Sequence, residues 1–196
     1  MLKLKRLHCI INYVSKGEMF IMNLNEYIAV INGYPKEGIS FKDVTPLLAN
    51  KDAFKYAIKE LSKFAKECGA NMIVGPEARG FLFGAPVAYE ADMGFVPVRK
   101  PNKLPREVVT ATYDLEYGHD TLCMHKDALK KGDKVVIIDD LIAVGGTVEA
   151  TIKMVEELQA EVVGIGCVIV LEGLPGIKVL SKKYPFKALL TLSDSE

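Results

Sequence analysis

The chain has 196 residues, with 25 Lys+Arg against 25 Asp+Glu, a formal net charge of +0 and a sequence pI of about 6.8. That balance supplies no global field for holding nucleic acid or an anionic membrane, so any recognition of phosphate has to be local. With 49% hydrophobic and 26% charged residues the composition also excludes a weakly hydrophobic, disordered chain, and a domain of this length buries roughly 70% of its unfolded surface without needing disulfides or a structural metal.

Residues 1–21 begin with a basic stretch, but His8, Asn12 and Tyr13 interrupt the apolar run and no small-residue cleavage pattern follows, which argues against a secretory signal. Met22 opens MNLNEYIAVI, a natural helical start. Residues 1–21 are therefore expected to be a poorly ordered extension or to precede the true start, and residues 22–196 to form a single domain. The pattern from Asn25 to Ile31 predicts a short helix. GYPKEGISFKDVTPLL then brings Pro and Gly punctuation that predicts an ordered but irregular segment, a candidate site loop. From Asp52 to Cys68, Phe54, Ala57, Ile58, Leu61, Phe64 and Ala65 recur at helical spacing with Lys and Glu on the other face, which predicts an amphipathic helix.

Short β-branched runs follow, separated by helical segments: NMIVG, a helix from Gly80 to Ala91, GFVPVRK, DKVVIIDD, a helix from Thr147 to Leu158, and AEVVGIGCVIVL. This alternation is the signature of βαβ units, and the expected fold class is α/β, a parallel β-sheet flanked by helices. The stretch from Lys100 to about Asp120 shows no clear periodicity and is expected to be a long loop of the kind that acts as a lid or binding loop. The most apolar stretch, Val162 to Leu171, is about half the roughly 20 residues of a membrane-spanning helix, so no membrane association is expected. Cys9, Cys68, Cys123 and Cys167 lie far apart with no CxxC pair and read as free thiols of a reducing compartment, which is the cytoplasm. His8, His119 and His125 sit beside no Ser or Cys in a nucleophile pattern and are assigned no catalysis.

The strongest local signal is VVIIDDLIAVGGT, residues 135–147. It reads as a buried strand with Asp139 and Asp140 at its C-terminal end, a glycine turn, and a helix opening at Thr147. Ligands of open α/β sheets sit beyond the carboxyl ends of strands, and a helix N-terminus with free N–H groups is a ready anion site. Gly145 and Gly146 let the backbone close round an anion, Thr147 can cap the helix and donate to a phosphate oxygen, and the two aspartates would take another part of the same ligand, such as ribose hydroxyls. The competing reading is a tight strand-to-helix turn with both aspartates as solvated strand-end charges. Two other phosphate loops are excluded: Phe81-Leu82 stands where a Walker loop needs Lys-Ser/Thr after the Gly75–Gly80 spacing, and Gly164-Ile-Gly166 lacks the third glycine of a dinucleotide fingerprint.

The segment VVIIDDLIAVGGT resembles the phosphoribosyl-pyrophosphate signature of the type I phosphoribosyltransferases, and GYPKEGISFKDVTPLL, GPEARGFLFGAPVA and RKPNKLPREVVTATYDLEYG resemble, in the same order, the members of that family that act on adenine. The likeness covers nearly all of residues 22–190. It implies a Rossmann-like sheet with a small hood and a flexible lid loop, and a purine-salvage transferase that moves a 5-phosphoribosyl group from phosphoribosyl pyrophosphate to adenine, giving AMP and pyrophosphate. It further implies Mg²⁺ carried by the substrate with no direct protein ligand, a homodimer, and no nucleic-acid partner.

The resemblance also assigns residues. Ala143, Val144, Gly145, Gly146 and Thr147 would cradle the 5′-phosphate, and Asp139 and Asp140 would hold the ribose hydroxyls close to the anomeric carbon, where positive charge develops. Glu77, Ala78, Arg79, Arg99 and Lys103 would bind pyrophosphate, with a cis peptide expected at Glu77-Ala78; without the resemblance, Arg79 reads as a surface residue at a helix start and Arg99 as a solvated strand end. Residues 101–117 would form the lid, and Glu116 would handle the proton of the incoming base, although it also reads as an ordinary charged loop residue. Ser40, Phe41, Lys42 and Leu171 would recognise the base, Phe41 by stacking, which is compatible with its being a core residue. Three positions depart from the family pattern: Val144 stands where Thr or Ser is usual, Val170 where an acidic residue is usual, and Lys42 where Arg is common. These leave hypoxanthine, guanine or xanthine as the rival bases. A purine-responsive regulator is the rival of another class, disfavoured by the neutral charge.

Overall fold

The computed structural model describes residues 12–15, 18–114 and 119–193. The chain divides into two compact units, Met1–Tyr56 and Ala57–Glu196, and each is taken by itself.

In the smaller unit, β1 (Asn12–Ser15) and β2 (Glu18–Ile21) pair antiparallel within the N-terminal extension. The expected helix over residues 25–31 is replaced by a 3₁₀ turn, Leu24–Tyr27, followed by β3 (Ala29–Asn32). The side chain of Asn23 accepts from the N–H of Asn25 and starts the turn. The β-branched Val30 and Ile31 then pair with β4 (Ser40–Asp43), so cross-strand pairing overrides the local helical pattern. The punctuated segment is thus a hairpin tip with a cis Tyr34-Pro35 bond, then β4 and a short helix, α1 (Thr45–Ala49), with Pro46 in its first turn. Helix α2 (Lys51–Glu67) carries the predicted amphipathic pattern and contains the boundary between the units.

The larger unit is built on β5 (Met72–Pro76), α3 (Arg79–Ala91), β6 (Gly94–Val98), β7 (Val108–Asp114), β8 (His119–His125), β9 (Lys134–Ile142), α4 (Gly146–Glu157), β10 (Glu161–Glu172), α5 (Pro175–Lys183) and β11 (Phe186–Ser193). Five of these strands form one sheet in the order β11-β10-β9-β5-β6, and every pairing in it is parallel. The runs VVII and GCVIV read as uninterrupted apolar stretches because both faces of the sheet are covered: Val135–Ile138 and Cys167–Val170 are all inaccessible to solvent. With β9 in the middle, its C-terminal end and those of β5 and β6 open on the same edge of the sheet, which is where a ligand site forms.

The expected long loop over residues 100–120 is corrected in part: residues 108–114 and 119–120 belong to a two-stranded antiparallel ribbon, β7 against β8, with Val108 facing His125 and Asp114 facing His119. The strand period is present in β7: Val109 and Ala111 are buried while Thr110 and Thr112 are exposed. Backbone bonds between Arg99 and Cys123, 2.9 and 2.7 Å, tie the ribbon to the chain leaving β6.

Because Ile137 is fully buried in the central strand, Ile137→Ala is expected to lower unfolding stability by about 2–5 kcal/mol, read as a shift in the urea midpoint at unchanged denaturant dependence.

Candidate active site

Three chain ends meet at the carboxyl edge of the sheet. Strand β9 continues to Ile142 and carries Asp139 and Asp140 inside it, 8% and 4% exposed. The reading of these aspartates as solvated strand-end charges is therefore excluded. Oδ1 of Asp139 accepts from the N–H of Asp140 at 2.8 Å. Burial pushes the Asp139 carboxyl well above its ordinary value, and the neighbouring Asp140 charge pushes the same way. Burial also raises Asp140, against the opposing pull of the Arg79 guanidinium.

That guanidinium arrives from the start of α3. Arg79 Nε lies 2.9 Å from Asp140 Oδ2, an ion pair whose N–H is not aligned well enough to count as a hydrogen bond, since Oδ2 has no such partner among the described residues. The approach depends on Gly80. A β-carbon there would come within 2.9 Å of Pro76 and 3.0 Å of Asp139 Oδ1, so any larger residue would push α3 off the carboxylates. Arg79 is thus held against the buried Asp140 and is not a plain surface residue.

The turn before α3 has the expected cis Glu77-Ala78 bond. The Glu77 side chain does not face an anion. Its Oε2 accepts from Arg99 Nε and from the N–H of Lys100, both at 2.9 Å. Burial pushes this carboxyl up, but the Lys100 N–H, Arg99 and the charge of Lys103 outweigh it and hold it below its ordinary value. Arg99 is thereby fixed by Nε, with its guanidinium 5.9 Å from the Phe81 ring centroid. What Glu77 and Ala78 can offer an anion is backbone.

Beyond β9, Ala143–Gly145 form the predicted glycine turn. Gly145 has φ +93° and caps α4 with backbone alone. Thr147 therefore lies inside the helix and does not cap it. The physical reason is the left-handed Gly145, which starts the helix at Gly146. The first-turn N–H groups of α4 have no acceptor within the helix and carry its positive dipole end. Val144 is 57% exposed, and its side chain adds no donor.

Sequence reasoning missed Lys100 and Asp120. Lys100 Nζ pairs with Asp120 Oδ2 at 3.0 Å, and Tyr113 donates to the same oxygen at 3.3 Å, so the Asp114–His119 end of the ribbon is tied to the chain just after β6, beside Arg99. This contact holds Asp120 below and Lys100 above their ordinary values. The alternation in VVTATYD was the signal that would have revealed the ribbon. Glu116 lies outside the described residues. Leu171 is buried at the C-terminal end of β10. In the smaller unit, Ser40, Phe41 and Lys42 lie on β4; Lys42 is buried and donates to Ser40 Oγ at 2.7 Å, Ser40 donates to Asn32 at 3.0 Å, and Phe41 packs edge-on against Tyr34. Cys68, Cys123 and Cys167 are free thiols, and Cys9 lies outside the described residues. No helix among the described residues is long and apolar enough to cross a membrane.

The family model for the phosphoribosyl transferase domain matches residues 40–194. The adenine phosphoribosyltransferase of Streptococcus uberis is 58% identical over 159 residues, covering 81% of this chain and 92% of the relative. Among solved structures, adenine phosphoribosyltransferase from Thermoanaerobacter pseudethanolicus superposes with a TM-score of 0.82 at 46% identity, covering 86% of this chain and 97% of that one. The Saccharomyces cerevisiae enzyme, solved with an imino-altritol bisphosphate and adenine, gives 0.80 at 38% identity, covering 85% and 96%.

Since the folded protein disfavours the ionised Asp139, stability is lost as pH rises through the unfolded carboxyl value near 4 toward the higher folded one. Asp139→Asn is expected to match the wild type below that window and to exceed it, on the order of 1 kcal/mol, at pH 7. Thermal unfolding from pH 4 to 8 checks this, and a variant less stable than wild type at pH 7 refutes it.

Proposed function

The chain belongs to the phosphoribosyltransferase family, and from that membership and the site's geometry we infer its reaction: it transfers the 5-phosphoribosyl group of phosphoribosyl pyrophosphate to adenine, giving AMP and pyrophosphate in purine salvage. It is a glycosyltransferase of the pentosyl class. One arrangement supports the residue roles above all, the pair of buried carboxylates on β9 followed directly by the left-handed Gly145 and the open first turn of α4.

In this reading the backbone of Ala143–Thr147 takes the 5′-phosphate, and Asp139 and Asp140 take the ribose hydroxyls. The sugar is then fixed so that its C1 carbon stands near two negative charges. As the bond from C1 to pyrophosphate breaks, positive charge grows on the sugar, and carboxylates already in place stabilise it without reorganising. Arg79, Arg99 and Lys103 balance the charge leaving with pyrophosphate. Arg79 then exchanges its contact with Asp140 for the anion. The new bond joins the base nitrogen to C1, and Glu116 is assigned the proton that the base loses. Residues 101–117 are assigned the lid that excludes water, so that adenine is the nucleophile that reaches C1. Ser40, Phe41 and Lys42 are assigned to adenine recognition, as is Leu171.

Mg²⁺, when bound, neutralises part of the pyrophosphate charge. It commonly keeps its waters and uses one or two carboxylates with substrate phosphates. Asp140 Oδ2, buried and lacking an aligned hydrogen bond among the described residues, fits such a water shell. The metal therefore belongs to the substrate in this reading, and a homodimer in the cytoplasm completes it.

Steady-state AMP formation with adenine, phosphoribosyl pyrophosphate and Mg²⁺ tests the assignment. Asp139→Asn is expected to lower kcat/KM by about 10²- to 10³-fold, and Glu116→Ala to lower kcat by up to roughly 10⁴-fold. Undiminished rates in both remove these roles while leaving the reaction intact. With wild type, hypoxanthine is expected to be turned over far more slowly than adenine, because a site that reads an exocyclic amine leaves its acceptor unpaired against an oxo group. Brisk IMP formation without AMP would reverse the choice of base.

A further inference from the structure

Helix α5 follows the last residue of β10 by a short turn, and its first turn lies against the 143–145 loop. At Gly176 a β-carbon would overlap the carbonyl oxygen of Ala143 and stand 3.0 Å from the Val144 carbonyl carbon and 3.1 Å from the Gly145 nitrogen. From the other side, a β-carbon on Gly145 would meet the Gly176 Cα at 3.2 Å and the buried Leu180 at 3.4 Å. Two glycine backbones therefore face each other with no room for a side chain on either.

This contact has a direction. The described non-proline peptide bonds are trans apart from Glu77-Ala78, so the carbonyl of Ala143 and the N–H of Val144 point opposite ways across one rigid plane. The carbonyl faces Gly176, and so the Val144 N–H faces away from α5. Turning that plane would drive the oxygen further into Gly176 or leave a gap beneath it. Since Val144 carries no hydroxyl, the loop's grip on an anion at this position is that N–H alone.

We propose that Gly176 is a positioning residue for the substrate phosphate: by admitting the Ala143 carbonyl against its bare Cα, it holds the Val144 N–H in the orientation that donates to the 5′-phosphate. The proposal rests on the assignment of residues 143–147 to the phosphate and extends it to a helix outside that loop. A β-carbon at 176 must displace the 143–144 peptide. The loss falls on ligands through their 5′-phosphate, not on the base and not on the chemical step once substrate is bound.

The test is Gly176→Ala, with Leu180→Ala as a second variant that loosens the same support by removing bulk. Folding of each is checked by circular dichroism. Gly176→Ala is expected to raise the KM for phosphoribosyl pyrophosphate and the Kd for AMP about tenfold, the scale of one charge-assisted hydrogen bond. The KM for adenine at saturating phosphoribosyl pyrophosphate, and kcat, are expected to stay within about threefold. Leu180→Ala is expected to weaken AMP severalfold with the same split, and it decides the matter if Gly176→Ala does not fold. AMP titration of ¹⁵N-labelled wild type followed by NMR separates the two levels of the argument. Shifted Val144 and Gly145 amides together with an unchanged AMP Kd in a folded variant overturn the role of Gly176 alone. Unshifted amides in wild type overturn the phosphate assignment of the loop and this proposal with it. A fall in kcat with no change in either phosphate-ligand constant also overturns it.

Discussion

Two adjacent carboxylates in a strand that water does not reach repel each other, and much of the larger unit is arranged around that repulsion. Asp139 and Asp140 lie on β9, the central strand of the sheet, and at 8% and 4% exposed neither carboxylate reaches bulk solvent. The described residues answer with one cation, Arg79, and with the N–H that Asp140 gives Asp139. The guanidinium comes from the first residue of α3, and α3 reaches the strand only because Gly80 has no side chain. A buried charge that is incompletely neutralised weakens the folded state. In the proposed reading that deficit is the binding capacity: the ribose hydroxyls of a ligand would satisfy the carboxylates, so part of the instability would be relieved when substrate binds.

The same logic orders the cations assigned to the departing group in the proposed reading. Glu77 is a carboxylate among the residues proposed to bind an anion, and its place becomes intelligible from what it touches. By accepting from Arg99 Nε and the Lys100 N–H, it fixes the strand end from which both residues project. Lys100 in turn clamps Asp120 near the Asp114–His119 end of the β7–β8 ribbon. A chain of alternating charges thus runs from the cis turn to the ribbon, fixing the cationic strand end relative to the cover. The chain's net charge of +0 is compatible with strong anion binding because its cations are placed, not numerous.

The parallel sheet was legible because buried parallel strands are written as unbroken β-branched runs, and NMIVG, VVII and GCVIV cannot be read otherwise once helical segments separate them. The acidic pair and glycine turn were legible for a similar reason, since few structures need that order of residues. Four features were not. The 25–31 segment has helical spacing, but Val30 and Ile31 find strand partners ten to twelve residues on, and such pairing leaves no mark in a local window. The ribbon carries a period of two over a short span whose exposed side is Thr and charged residues, which reads as a polar loop when taken whole. Thr147 looks like a cap because the chemistry of its hydroxyl is right, yet a left-handed glycine starts the helix one residue earlier. Gly176 was invisible because its importance lies in what a β-carbon would strike, and nothing in LPGIKVL names Ala143 as its neighbour.

That last feature bears on how a phosphate loop can vary. A loop that grips through side-chain hydroxyls ties affinity to the identity of one residue, whereas a loop that grips through amides is indifferent to side chains as long as its peptide planes keep their orientation. Val144, exposed and without a donor, belongs to the second kind. The constraint does not vanish with the hydroxyl; it passes to whatever holds the planes. In this chain those supports are Gly145 at φ +93°, the facing Gly176 and the buried Leu180, of which only the first lies in the loop itself. If residues 143–147 hold the phosphate as proposed, tolerance at position 144 is matched by intolerance on α5, and substitutions in that helix reach the ligand without any side chain that touches it.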